Sequence, residues 1–419
     1  GEKLLQDTAG LNGKAERYAE MRYFYETADG QLWIYGPGGL YARSKSAKAF
    51  EYYGSGRSNY FSIEYDAINQ VYEDNAGVIW IASNRGLYYQ NPRLAEVKNI
   101  TLSTKPGDLE ITDAIQLTNG DYWLSTWGKG IIVLDSGFNR KPLELHQLYK
   151  GPPGEKLAYK QCWSLLQHSS GLVFAGCQSG RLLLHHPRQG TTTFLNPPAM
   201  ENHTIRYMAE GAEGQVWFGT QGGGVIRYHS GQFSKVFQLP SPTIIYKLLY
   251  DAKRSWLWLA TFENGLYAIN TATGKVMAHY FNTPDGKGLG GNTVKDMEIA
   301  SDTTLYVAAG GALNLVNINS GKISVLSLKD GLPSKSISRL RLDSKGYLWI
   351  TTQSGLCHYD SRQGRFSSFG KNDGMLNAEI ANACDLLDHN QNLIFAGPNT
   401  LLFFHPNIFY DSPRPPAPV

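Results

Sequence analysis

The chain has 419 residues, 42% of them hydrophobic and 18% charged, with 45 Gly, 25 Tyr and 9 Trp. So little charge beside so many aromatics excludes a disordered chain, and the length is enough to bury a sizeable core. The formal net charge of +3 is scattered without a Lys/Arg stripe, which argues against nucleic acid as a partner.

From the N-terminus, Gly1 to Gln6 carry neither the basic start nor the apolar segment of a secretory leader, and no run of 18 apolar residues follows. The chain as given therefore reads as water-soluble. One line then recurs along its whole length: a Gly turn, an apolar residue, an aromatic, a strand of small residues, a second Gly and an apolar-aromatic run. Its copies include DGQLWIYGPGGLYAR (29–43), NGDYWLSTWGKGIIVL (119–134), EGQVWFGTQGGGVIRY (213–228) and KGYLWITTQSGLCHY (345–359). The anchor aromatics are Trp33, Trp80, Trp123, Phe174, Trp217, Trp258, Tyr306, Trp349 and Phe395, nine in all and 41 to 51 residues apart. That period, with strand-like content and turn glycines, is that of propeller blades and excludes helical repeats.

Each repeat reads as four strands. In the eighth, the spacing predicts an inner strand over Ser338 to Leu342, then Tyr347 to Thr351, Leu356 to Tyr359 and an outer strand from Gln363 to Phe369. Six glycines, Gly346 among them, stand three residues before the anchor, where a hairpin needs positive φ. Both faces of such a strand must pack against neighbouring blades, so the anchors are core.

The sequence thus predicts an all-β fold, a single β-propeller of four-stranded blades over residues 1–410. Nine blades are favoured, with eight, or seven plus extra repeats, as alternatives. The segment Lys3 to Asp7 resembles the connector before other inner strands, so an N-terminal strand is expected to close the ring and remove its exposed edges.

The repeated run, with an Asp-Gly-Leu connector such as Asp330 to Leu332, resembles the two-component regulator propeller family. The resemblance covers essentially the whole chain. It implies an extracytoplasmic, periplasmic sensor domain of a membrane-bound hybrid histidine kinase or diguanylate cyclase. A small-molecule ligand, a carbohydrate such as an oligosaccharide, and downstream membrane-anchored signalling domains would be its partners, and a homodimeric full-length receptor stays open. Phe404-His405-Pro406 and the Pro-rich residues 411–419 resemble the family's link to a following domain; such a segment is extended and semi-rigid.

Chemistry is expected where the turns from second to third strand surround the channel. Trp127 beside Lys129, and Phe262 beside Glu263, pair an aromatic plate with a charge, the arrangement that stacks on a sugar face and hydrogen-bonds its rim. Arg85, Gln221 and Gln353 stand in equivalent turns. Trp163, Arg206 and Lys247 belong at the mouths of inner strands, with Tyr65, Asp66, Asp113, Lys295 and Arg339. A slip of one residue would turn any of these toward the blade interior.

No catalytic residue and no metal or other cofactor is expected. The four cysteines form no CxxC, the ten histidines show no ligand spacing, and Glu263 has no partner for glycosidase chemistry. Sialidase-type turns place Asp five before Trp, whereas Asp343 stands six before Trp349. A protein-interaction scaffold and a propeller lyase or hydrolase are the other readings. Cys162 and Cys177 flank a turn symmetrically, so a hairpin sets them opposite each other, either as two buried thiols or as a bridge.

Overall fold

The computed structural model describes residues 20–55, 63–75, 77–91, 96–105, 107–370, 373–375 and 384–410. The segments expected to close the ring from the N-terminus (Lys3 to Asp7) and to form the Pro-rich link (411–419) lie outside the described residues. The nine repeats are nine antiparallel sheets, eight of four strands and one of three. In the eighth repeat the strands are Ile337–Leu342, Tyr347–Thr352, Gly355–Asp360 and Arg365–Phe369, within two residues of the expected bounds. Gly346 takes φ +84° in its turn, a value that costs other residues energy. The Asp six residues before the anchor is structural. Asp343 accepts from the Trp349 indole at 2.7 Å and from the Tyr347 amide at 3.0 Å, and Asp74 accepts from Trp80 at 2.8 Å.

Two compact units divide these sheets, one of residues 1–96 with 407–419 and one of Val97–Pro406. The first unit holds the sheet Tyr23–Glu26, Leu32–Gly36, Gly39–Arg43, Glu51–Tyr52 and the three-stranded sheet Ile68–Glu73, Ile79–Ser83, Leu87–Gln90. Its core gathers Trp33, Leu40, Ile68 and Ile79.

The second unit holds seven sheets. Their inner strands are Ile111–Gln116, Cys162–Gln167, Ile205–Glu210, Ile245–Asp251, Val294–Ser301, Ile337–Leu342 and Asp385–Leu387, each bordering the next and the seventh bordering the first. These seven sheets form a closed series within the unit, and with the two sheets of the first unit they make up the nine that the sequence favours. The closing strand of the series is Lys98–Thr101, which supplies the outer strand of the last sheet by pairing Ile100 with Leu401 and Asn99 with Leu402. Tyr122 of the first blade also donates to Asp388 of the seventh at 2.9 Å. Closure of this kind leaves no inner sheet edge for another chain.

Eight of the nine anchor aromatics are buried, and Trp80 is partly so. Between blades they meet aliphatic side chains, as where Trp258 packs with Leu289, Met297 and Val307. Cys162 and Cys177 are cross-strand partners, as the turn symmetry requires; they are free thiols with sulfurs 3.3 Å apart, and burial pushes the Cys177 thiol up. Among the described residues no helix is long and apolar enough to cross a membrane.

Candidate functional site: the mouth of the seven-bladed ring

Six of the seven inner strands share one irregularity. Regular strands bury every second residue, but here the buried apolar residues stand three apart: Ile111 and Ala114, Cys162 and Leu165, Ile205 and Met208, Ile245 and Leu248, Val294 and Met297, Ile337 and Leu340. The ladder shifts register between them, so six of the seven blades carry a β-bulge at the same point. A bulge leaves one residue unpaired and re-aims its side chain. The residues so placed, Thr112, Trp163, Arg206, Tyr246, Lys295 and Ser338, all line one cavity of about 720 Å³ at the mouth of the ring.

Around that mouth the chemistry is divided. One side is aromatic: Trp163 and Tyr246 line it, Trp127 packs behind Trp163 with ring centres 4.9 Å apart, and Phe262 meets Tyr246 edge-on at 6.2 Å. Trp163 is held by a 3.1 Å hydrogen bond from its indole to Gln178, and Trp127 and Phe262 remain 36% and 38% exposed. The Arg206 guanidinium lies over the Trp163 face, 3.5 Å from the ring centre. The other side carries Lys295, Ser338, Arg339 and Gln353. Burial lowers the Arg206 guanidinium to about 10, and Arg339 adds to the fall.

The residues that follow the bulged positions form a second layer, which includes Asp113, Lys247 and Asp296. Asp113 accepts from the Leu165 amide at 2.8 Å, and Asp296 accepts from Leu340 at 2.9 Å, so each carboxylate stitches its blade to the next. Lys247 stands in this layer. Its ammonium contacts Asp296 at 2.5 Å and Glu298 at 3.6 Å; Arg341 in turn contacts Glu298 at 3.4 Å and Asp385 at 2.5 Å. Burial alone would lower Lys247, but the two carboxylates outweigh it and hold the ammonium well above its ordinary range.

The structure brings Trp163, Arg206 and Gln353 together at the mouth, with Trp127 behind Trp163. Lys129 stands beside Trp127 but is engaged by Asp108 at 3.1 Å. Gln221, Phe262 and Glu263 line a separate groove of about 520 Å³ with Thr243 and Asn264. Lys247 is not at the mouth: it is 3% exposed and ion-paired, and the bulge gives its place to Tyr246, the one-residue slip that the expectation left open. Arg85 belongs to the other compact unit, where it grips Asp66 through two hydrogen bonds of 2.8 and 2.9 Å. Tyr65 is likewise in that unit, buried. Residue type alone did not single out Tyr246, Thr112 and Ser338. The apolar pair three residues apart, where alternation demands two, is the signal that would have found them.

Asp113 carries a pH dependence. Burial pushes its carboxyl up to about 6, against the pull of the Leu165 and Ala114 amides and above the ordinary value of 3.8. The native state therefore holds this proton more tightly than the unfolded chain. Its contribution to stability is present below about pH 4 and is lost as the pH rises toward 6. Melting temperatures of wild type and Asp113→Asn, measured between pH 4 and 8, are expected to move in the variant's favour across that window; a constant difference would refute the assignment.

Among the described residues no group of three or more His, Cys, Asp or Glu is placed to hold a metal. Known proteins bear on what the ring is. The two component regulator propeller model matches residues 331–354, the connector, bulged strand and anchor of the eighth repeat. The eighth repeat is therefore similar to a two component regulator propeller repeat. A histidine kinase, P4, from Formosa agariphila is 22% identical over 210 residues, 46% of this chain and 15% of that protein. Among solved structures, the WD40 β-propeller domain of Doa1 aligns with 73% of this chain and 96% of its own at TM-score 0.54 and 11% identity, which places the propeller fold. The extracellular domain of a hybrid two component system from B. thetaiotaomicron aligns with 96% of this chain and 64% of its own, at 19% identity and TM-score 0.43.

Proposed function

We propose that this chain is the periplasmic sensor part of a membrane-bound signalling receptor. It binds a small polar ligand, a carbohydrate, at the mouth of the seven-bladed ring and passes occupancy to a kinase or cyclase output. The regulator propeller repeats support the sensor role. The observation that carries the ligand class is the aromatic pair Trp163 and Tyr246, with Trp127 packed behind Trp163, facing polar and cationic side chains across a cavity of about 720 Å³. Aromatic faces take the C–H face of a sugar, and donors across the cavity take its hydroxyls. The fragment itself is not an enzyme in this reading, in which Asp113, Asp296 and Asp385 are engaged in inter-blade bonds and ion pairs.

Thermal-shift screening against a glycan panel tests it. A binding sugar is expected to raise Tm with concentration, as mass action requires. Trp163→Ala should weaken that sugar at least about tenfold, the scale of one lost aromatic contact, whereas Phe262→Ala, in the separate groove, should leave most of the affinity. Full affinity in Trp163→Ala with loss in Phe262→Ala would move the site to that groove. Conversion of the sugar, seen by mass spectrometry, would overturn the non-enzymatic reading.

A further inference from the structure

The mouth holds more cationic donor capacity than the protein uses. Arg206 is half-buried, stacked at 3.5 Å on Trp163, and among the described residues its guanidinium has no hydrogen bond or ion pair with protein. Lys295, on the cavity wall two blades further round, is exposed and equally without a partner among them. Elsewhere in the ring the buried Lys247 is matched by Asp296 and Glu298, and the partly buried Arg341 and Arg254 by Glu298 with Asp385 and by Asp251. A guanidinium taken partly out of water without a counter-charge is costly, and that cost is offset when an anion arrives.

Resting on the carbohydrate-sensor reading above, we infer that the ligand is an acidic sugar whose carboxylate or sulfate is received by Arg206, backed by Trp163, with Lys295 supplying further positive potential. The Trp163 indole fixes the guanidinium plane, leaving the N–H edges for two parallel bonds to a planar carboxylate or to two sulfate oxygens. Glu110 and Asp113 also line the cavity. They limit the excess of positive charge and set a second requirement, that the acid group sit on the Arg206 side while hydroxyls face the carboxylates. A neutral sugar would leave Arg206 without its partner, which is the basis of discrimination.

The test uses the whole chain and matched pairs of probes: oligogalacturonate with its methyl ester, and a sulfated galactose disaccharide with its desulfated form, each titrated by calorimetry at low and high salt. Inorganic sulfate is titrated separately by tryptophan fluorescence. The expected result is binding of one acidic member about tenfold or more tighter than its neutral partner, weakening with salt, with that preference lost in Arg206→Gln. Lys295→Gln, an exposed position that does not threaten folding, should reduce it severalfold. Preference for oligogalacturonate identifies a carboxylate, and preference for the sulfated disaccharide a sulfate ester. Equal or tighter binding of the neutral partner, or a preference that survives in Arg206→Gln, overturns the inference while leaving the carbohydrate reading intact. Saturable sulfate binding dependent on Arg206, with no sugar binding at all, retains the acid-group pocket and overturns the carbohydrate reading. Absence of both sulfate and acidic-sugar binding overturns the inference itself.

Discussion

Lys247→Met is expected to cost about 3–5 kcal/mol of unfolding free energy, the scale for removing one partner of a buried ion pair. The methionine fills most of the volume, so the loss is electrostatic. Asp296, fully buried, and Glu298 both lose the ammonium that now faces them at 2.5 and 3.6 Å. Arg341 cannot replace it, being already committed to Asp385 at 2.5 Å. The chain of charges runs from the fourth blade through the fifth and sixth to the seventh, so the damage extends to blade-to-blade contact and not only to one site. Urea unfolding of the variant measures the effect. Adding Asp296→Asn to Lys247→Met should recover part of the loss, because it removes a charge left unpaired. A double variant as unstable as the sum of both single changes would show instead that Lys247 acts through packing.

Asn399→Ala is expected to cost about 2–4 kcal/mol, acting on the closure of the ring. Asn399 sits at φ +60°, where Asn is tolerated and Ala is strained by about 1–2 kcal/mol. Its side-chain oxygen accepts from the buried Leu109 amide at 2.7 Å, and its amide donates to Lys105 at 2.8 Å. Its own carbonyl receives the Leu102 amide at 2.8 Å, directly after the closing strand. Loss of the side chain leaves the Leu109 N–H buried without an acceptor, a penalty of about 1–3 kcal/mol. Asn399→Gly separates the two causes: it relieves the strain but not the lost bonds, so it should fall between wild type and Ala. Denaturant midpoints for the three proteins decide the matter, and an Ala variant within about 0.5 kcal/mol of wild type would remove Asn399 from the closure.

The repeat line was legible because it has a physical cause that recurs. Each blade needs a tight turn, a glycine in six of the nine, an aromatic long enough to reach the neighbouring sheet, and small residues where two sheets approach; nine copies made the pattern unmistakable, and nine sheets among the described residues correspond to it. Even the Asp six before Trp349, which resembled a sialidase turn, is explained by an indole hydrogen bond inside the blade. The site was half legible. Trp163 and Arg206 stand out by residue type, but Tyr246 and Lys247 are adjacent and chemically plausible alike, and only the bulge decides which reaches the mouth.

The sequence by itself determined the all-β repeat architecture, the blade period, the buried anchors and the family to which the repeats are similar. These depend on local turn preference and on two-faced burial, both written within a stretch of some tens of residues. Tertiary structure decided which strands close on which. Lys98–Thr101 has no local feature that selects Thr400–Phe404 as partner; the choice is made by the twist and stagger that bring seven sheets round until the last meets the first. It also decided that Lys247 is a buried link and that Arg206 forms no ion pair among the described residues, because pairing of charges depends on neighbours far away in the chain, as with Lys247 and Asp296.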